Sequence, residues 1–434
     1  MPFSRRRFLV TGSLAAGALA TVKPFAIQAA SAEDLRDWGV VRQQFDLDPA
    51  YAHLGLFYLT SHPRPVRAAI DSYRRLLDAN PFLTVEQGLF EKNIPGGVTA
   101  AIGRYIGANS EDIALTQNTT TGLSLIYHGL PLKAGDEIVT TNHDHYVHHE
   151  AIRLATERNG ASWRKIPLWE SWDAITADGI VDHIRREIKP NTRVVGVTWV
   201  HSQSGVRLPI RRIADMIADV NRDRANGVLL VVDGVHGVGV EDPHITALGA
   251  DAFSAGLHKW IFAPRGTGFV WAKPDVWATM KPLIPTFSTL DLFNAWGAGH
   301  PPTATPKASW FSPGGFQSFE HQWAIPAALS FHNAIGSARI TQRIHSLNQA
   351  MNEELRKLPN VKVVYTPADS QLNAGMVCFD MNGLDAQQTV NALLRENIIA
   401  STTPYAVPFA RLAFGIVNTQ QEVEKTARVL RSLT

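Results

Sequence analysis

Val228-Leu229-Leu230-Val231-Val232-Asp233-Gly234-Val235-His236-Gly237 reads as five apolar residues ending in an acid and then a glycine-rich turn. An unbroken branched-aliphatic run without polar alternation is a strand buried on both faces, as in a parallel sheet covered by helices. Six further short runs flank it: Ile113–Thr116, Glu137–Thr141, Ser162–Ile166, Val194–Trp199, Ala252–Ser254 and Gly268–Trp271. Helical patterns separate most of them, which predicts βαβ units and a mostly parallel seven-stranded sheet in an α/β protein. In such sheets ligands sit beyond the carboxyl ends of the strands, where Asp233 falls.

The remaining sequence sets the frame. The 434 residues carry 45% apolar and 18% charged residues, the composition of an ordinary globular protein. Arg5, Arg6, Arg7 and Lys23 lie in a first stretch of 32 residues that contains no acid. Without them 37 basic residues face 39 acidic ones, so the body lacks the basic footprint of a nucleic-acid partner. Ser4-Arg5-Arg6-Arg7-Phe8-Leu9, a weakly apolar run and Ala30-Ser31-Ala32 together have the layout of a twin-arginine export signal over 1–32. The expectation is a periplasmic product without stable membrane insertion. Residues 33–300 are expected to form an N-terminal segment and the large domain. Residues 301–434 are expected to form the rest of a long Pro/Gly/Ser/Thr-rich loop (282–317) and a small α+β domain, closed by a helix that the Thr419-Gln-Gln-Glu422 capping box announces.

Twenty-six residues after Asp233 comes Gly256-Leu257-His258-Lys259-Trp260, followed by Pro264-Arg265-Gly266-Thr267-Gly268. A lysine among apolar neighbours has a destabilised ammonium, as a Schiff-base lysine requires. An acid to hold a pyridine nitrogen protonated and a lysine to carry an aldehyde are the pair that pyridoxal 5'-phosphate needs. Each has an ordinary alternative, since strand-end acids cap helices and most lysines are solvated. Asn118-Thr119-Thr120-Thr121-Gly122 follows a strand and opens a helix, so it is either a phosphate cradle or a plain N-cap. His143-Asp144-His145-Tyr146 offers a flat ring to stack on a planar group. Arg411, at the start of a late strand expected over Arg411–Ile416, is suited to a carboxylate.

With these motifs the chain resembles the class V aminotransferase family, the fold-type-I pyridoxal-phosphate enzymes that include cysteine desulfurases, kynureninases and isopenicillin-N epimerases. The resemblance implies that Lys259 carries the cofactor, Asp233 holds the pyridine nitrogen and His236 approaches the phenolic oxygen. It makes His145 the stacking ring, Thr119 and Thr120 the phosphate loop, His258 a phosphate contact, Ser202 a cofactor-side residue and Arg411 the clamp for the substrate's α-carboxylate. It also implies a homodimer and a small-molecule or peptide-like amino-acid substrate.

Two departures matter. Gly256 stands where many relatives carry a phosphate-binding hydroxyl or amide, so Ser254 or a partner subunit is expected to supply that anchor. Desulfurases carry a nucleophilic thiol in the loop before the arginine, and Ala400 to Ala410 contain none. The single cysteine, Cys378, lies inside an apolar strand, which excludes a persulfide mechanism, a disulfide within the chain and a cysteine-rich zinc site. Ser202, His236 and the Lys259 to Gly268 run resemble the isopenicillin-N-epimerase-like branch, whose exported members include siderophore (pyoverdine) maturation among their roles. The expected chemistry is removal of the proton on an amino acid's Cα, leading to transamination or epimerisation, with C–S lysis without a catalytic cysteine as an alternative. Trp296 and Trp310, in the long loop, are expected either to cover the substrate or to lie in an interface or the core. The competing reading places a divalent metal on the cluster His143, His145, His148 and His149, for a metal-dependent hydrolase or metal-binding protein. A third reading is a binding protein on the same fold.

Overall fold

The computed structural model describes residues 34–433, so the expected export signal lies outside the described residues. A two-residue strand β1 (Ala52–His53) precedes the main sheet, which contains β2 (Ile113–Thr116), β3 (Glu137–Thr141), β4 (Ser162–Ile166), β5 (Thr192–Thr198), β6 (Leu229–Asp233), β7 (Ala252–Gly256) and β8 (Gly268–Ala272). Their order is β2-β8-β7-β6-β5-β3-β4, and all pairings are parallel except those that β8 makes with β2 and β7. The seven strands expected from the sequence are these seven, with ends moved by one or two residues.

Burial explains the strand composition. Leu230, Val232, Val195 and Val197 enter one apolar cluster, while Val231, Val194 and Ile138 enter another on the opposite face of the sheet. A polar residue at any of these positions would be desolvated on either side. At the carboxyl end of β6 the chain turns so tightly against its neighbour that a Cβ on Gly234 would sit 1.8 Å from the Phe253 ring. Only hydrogen fits there.

A second sheet, β12-β13-β10-β9, is antiparallel and is built from β9 (Val361–Val364), β10 (Val377–Met381), β12 (Ser401–Thr402) and β13 (Ala410–Leu412). β11 (Ile398–Ile399) pairs in parallel with β1 instead, so the beginning of the described chain completes the C-terminal unit. The helix Ser337–Lys357 joins the two cores: Ile340 and Ile344 pack into the large one, Leu347, Met351 and Leu355 into the small one. The core boundary therefore falls inside this helix. The C-terminal helix Gln420–Ser432 opens with the capping box between Thr419 and Glu422.

Two local expectations are corrected. The strand expected to run on from Arg411 to Ile416 stops at Leu412, because Phe414 N donates to Asn348 Oδ1 and Gly415 N to Asn418 Oδ1, side-chain acceptors that replace a ladder. Residues 282–317 contain a helix, Leu290–Gly297, capped by the Thr289 hydroxyl. Trp310 is a core residue, only 3% exposed, in the cluster where Trp277 and Phe311 meet with ring centroids 4.6 Å apart. It covers no substrate, whereas Trp296 is 75% exposed.

Gly234→Ala forces the Phe253 ring and strand β6 apart, and overpacking of this kind costs about 1–3 kcal/mol. Equilibrium denaturation should show that loss, and an unchanged midpoint would contradict the packing at this turn.

Candidate active site

The carboxyl ends of β2, β3, β5, β6 and β7 converge on one cavity lined by Asn118, Thr119, Thr120, His145, Ser202, Asp233, His236, His258, Lys259 and Arg411, with Phe57 and Tyr58 closing one side. Thr119, Thr120, His145, Ser202, Asp233, His236, His258, Lys259 and Arg411, the residues given cofactor or substrate roles from the sequence, all reach it.

Asp233 ends β6 with 2% exposure, and its Oδ1 accepts one hydrogen bond, from Val235 N at 3.0 Å. Loss of solvent pushes the carboxyl up to about 7, and the nearby charge of Asp144 acts in the same direction. Lys259 lies in the turn after β7, where Phe262 N donates to Lys259 O and Ala263 N to Leu257 O. Its ammonium makes no hydrogen bond or ion pair with the described residues, and burial, aided by Arg411, lowers it to about 8. A buried acid and a buried amine that do not contact each other are each under-satisfied.

The walls are fixed by their own hydrogen bonds. His145 is the N-cap of the helix Tyr146–Asn159, its Nδ1 accepting from Val147 N at 3.3 Å, which leaves Nε2 as the protonated nitrogen of the neutral ring. His236 Nδ1 accepts from Trp260 Nε1 at 3.3 Å, and burial holds the imidazole well below its usual range. Asn118 caps the helix Thr119–Gly129 through Thr121 N, so the first backbone N–H groups at Thr119 and Thr120 are open to an anion. His258 Nδ1 donates to Thr267 O, and Thr60 Oγ1 donates to His258 O. Arg411 donates from Nε to Ser401 Oγ, from Nη1 to Ser202 O at 2.7 Å and from Nη2 to Thr402 O, over the face of Phe57 at 4.4 Å. Its remaining N–H groups are available to a carboxylate.

The expectation for Ser254 is corrected: its hydroxyl donates to Phe269 O and fills the space above Gly122, inside the sheet and away from the cavity. Gly256 has a structural reason of its own. A Cβ there would meet the His258 ring at 2.8 Å, and Gly256 N already donates to Thr119 Oγ1.

The histidine cluster disperses. His143 stacks on Trp169 at 3.8 Å, His148 bonds the Tyr127 hydroxyl at 2.7 Å, His149 donates to Thr141 O at 2.8 Å, and only His145 enters the cavity. Among the described residues no group of three or more His, Cys, Asp or Glu side chains could hold a metal ion. Cys378 is buried, and loss of solvent pushes its thiol up to about 12. Sequence reasoning missed Tyr405, whose hydroxyl lies 2.8 Å from Ser202 Oγ and whose ring meets His145 edge-on. Its place in the cysteine-free loop before Arg411 was the available signal. Nothing in the sequence marked Phe57 or Tyr58, which arrive from the N-terminal segment.

A planar, anionic aldehyde matches this donor set: a lysine with a destabilised ammonium, a buried acid lacking a cationic partner, a ring to stack on and a helix N-terminus for a phosphate. The fold is shared with solved pyridoxal-phosphate enzymes, among them C-DES with glycine covalently linked to its PLP cofactor, at a TM-score of 0.80 and 20% identity, covering 91% of this chain and 99% of that one. Among sequence relatives, isopenicillin N epimerase of Amycolatopsis lactamdurans is 26% identical over 418 residues, 92% of this chain and 98% of the relative. Cysteine desulfurase of Cronobacter sakazakii is 26% identical over 350 residues, 76% of this chain and 79% of the relative. The family model for aminotransferase class-V matches residues 60–426, and the chain belongs to that family of pyridoxal-phosphate-dependent enzymes.

Because its ammonium is lowered to about 8, the neutral, nucleophilic fraction of Lys259 grows as pH rises through that value and is nearly complete two units above it. In the cofactor-free protein, the rate at which an amine-directed reagent modifies Lys259, located by peptide mass spectrometry, should level off correspondingly early. A midpoint at the usual lysine value would contradict the burial described here.

Proposed function

We propose that the protein is an exported, periplasmic enzyme that removes the Cα proton from the α-amino-acid moiety of a small molecule or peptide-like metabolite, with epimerisation or transamination as the outcome and siderophore (pyoverdine) maturation as the setting. The observation that carries this reading is that Arg411 and Lys259 open into one cavity with Asp233 at its base. An arginine suited to a carboxylate then stands beside an amine suited to a proton.

Each residue has a definable task. Arg411 pairs with the substrate carboxylate and fixes the amino acid's orientation. Lys259 would carry the cofactor's aldehyde, and its amine would be the base for the Cα proton. Asp233 holds the proton on the ring nitrogen, His145 covers one face of the ring, and His236 and Ser202 donate to its edge. Thr119, Thr120 and His258 hold the phosphate. When bound, pyridoxal phosphate supplies the electron sink that makes the Cα proton removable.

The isopenicillin N epimerases that align along 92% of this chain support the choice of Cα chemistry. The absence of a thiol between Ala400 and Ala410 separates this chain from its desulfurase relatives. The arginine-bearing, acid-free first 32 residues support export. Among the described residues no helix is long and apolar enough to cross a membrane. A homodimer is part of the proposal: Phe287 meets Phe316 and Phe293 meets Trp296 in exposed aromatic pairs, which are suited to an interface. The partner then supplies the phosphate anchor absent at Gly256.

Three outcomes are expected. Lys259→Ala abolishes the visible band that borohydride fixes in the wild type, and a retained, fixable band would place the aldehyde on another amine. In deuterium oxide the wild type exchanges the Cα proton of amino-acid-bearing metabolites, followed by NMR. Chiral analysis of the recovered amino acid then separates inversion from loss of the amine. Arg411→Lys loses the forked geometry at the carboxylate and raises KM about 10- to 100-fold, the weight of one or two charge-assisted hydrogen bonds. An unchanged KM would remove Arg411 from substrate binding.

A further inference from the structure

A second buried carboxylate stands behind Asp233. Asp144 is 1% exposed and lies in the turn between β3 and the helix that His145 caps. Its Oδ2 accepts from Thr141 N at 2.7 Å and from Thr140 Oγ1 at 2.8 Å, and its Oδ1 accepts from Thr198 N at 2.7 Å. Thr198 ends β5 and pairs in register with Asp233 on β6. One carboxylate thus ties the stacking-ring turn to the strand end directly beside Asp233.

Burial opposes the charge on Asp144, but the neighbouring imidazoles of His148 and His201, followed by the hydrogen bond from Thr198, hold its carboxyl below the usual range, so it is ionised at neutral pH. The groups that face it do not cancel the charge. His148 Nδ1 lies 3.8 Å and His201 Nε2 3.9 Å away, and burial lowers both imidazoles to about 4 and that of His143 to about 3, so all three are neutral at pH 7. The phenols of Tyr127 and Tyr405 are also near and are raised by burial. His149 is turned toward Thr141 O. The charge of Asp144 is therefore felt at Asp233.

We propose that Asp144 is a positioning residue for the cofactor's ring nitrogen: its fixed negative charge behind β5 and β6 strengthens the hold of Asp233 on the ring-nitrogen proton, while its hydrogen bonds set the His145 turn. A single carboxylate in this cavity would face the ring nitrogen across a poorly polarisable wall. Two of them make the base of the cavity negative enough to retain a pyridinium. The inference rests on the pyridoxal-phosphate reading given above.

The test is to load the full-length protein with pyridoxal phosphate labelled with nitrogen-15 in the ring and follow the ring-nitrogen signal as pH is raised. In Asp144→Asn the midpoint for loss of the ring proton should fall by about one pH unit, the size expected from removing one charge at this range. A merely structural role would lower stability and leave the midpoint in place, which would overturn the proposal. Asn presents an N–H group to Thr141 N and risks misfolding, so Thr140→Val is the companion variant. It removes one hydrogen bond that screens the carboxylate while preserving both backbone donors, and the midpoint should rise; a fall would overturn the proposal as well. Wild-type protein that takes up no cofactor removes the functional reading and this inference together, whereas bound cofactor with an unchanged midpoint in Asp144→Asn removes this inference alone.

Discussion

Desolvation of Asp233 is the constraint on which the rest of the molecule depends. The carboxylate is held in a nearly water-free position by a strand whose alternate residues are buried on opposite faces of the sheet, and among the described residues it accepts one hydrogen bond, from Val235 N. An ionised acid in such a place is costly unless a cation or a proton is shared with it. Lys259 does not serve, because it is held apart by the turn Lys259–Phe262. The cavity is left with an acid and an amine each lacking a counterpart, and a pyridinium that also carries an aldehyde satisfies both. The close approach at Gly234 and the capped helices around the cavity keep that separation fixed.

Most of this was legible from the chain because the information is local. An aliphatic run ending in Asp, a lysine after the next strand and a hydroxyl-rich helix start each reveal their position through periodicity and capping chemistry, and Asp233, Lys259, Thr119 and Thr120 all lie where those rules place them. Arg411 was also found, although its strand is shorter than its sequence promised. What stayed hidden depends on partners distant in sequence. Trp310 reads like loop tryptophan until Trp277 and Phe311 enclose it, and Ser254 reads as a free hydroxyl until it donates to Phe269 O. Tyr405 acquires a role only because Ser202, two hundred residues earlier, stands against it. Four histidines within seven residues have the look of a ligand set, but helix rotation and the differing partners on each side send them in four directions.

The loop before Arg411, from Ala400 to Ala410, contains no cysteine. Desulfurase relatives share the fold and the cofactor, so the framework does not choose the reaction. The loop brings the Tyr405 hydroxyl to 2.8 Å from Ser202 Oγ, and the one thiol in the chain is sealed between β9 and β13 within β10. Among the described residues no thiol lines the cavity, which holds an acid, an amine and an arginine.

The helix Ser337–Lys357 has a mechanical meaning. It enters the large core through Ile340 and Ile344 and leaves through Leu347, Met351 and Leu355 in the small one, with no interruption of its backbone hydrogen bonds. At its amino end Arg339 and Arg343 stack on Trp38 and bond backbone carbonyls of the N-terminal segment and the C-terminal turn, so three distant parts of the chain are riveted to one rod. A molecule built in this way has no slack joint between its halves. Arg411 sits on one half and Lys259 on the other, and beside the shared helix the bond from Arg411 Nη1 to Ser202 O ties the two halves together at the cavity itself.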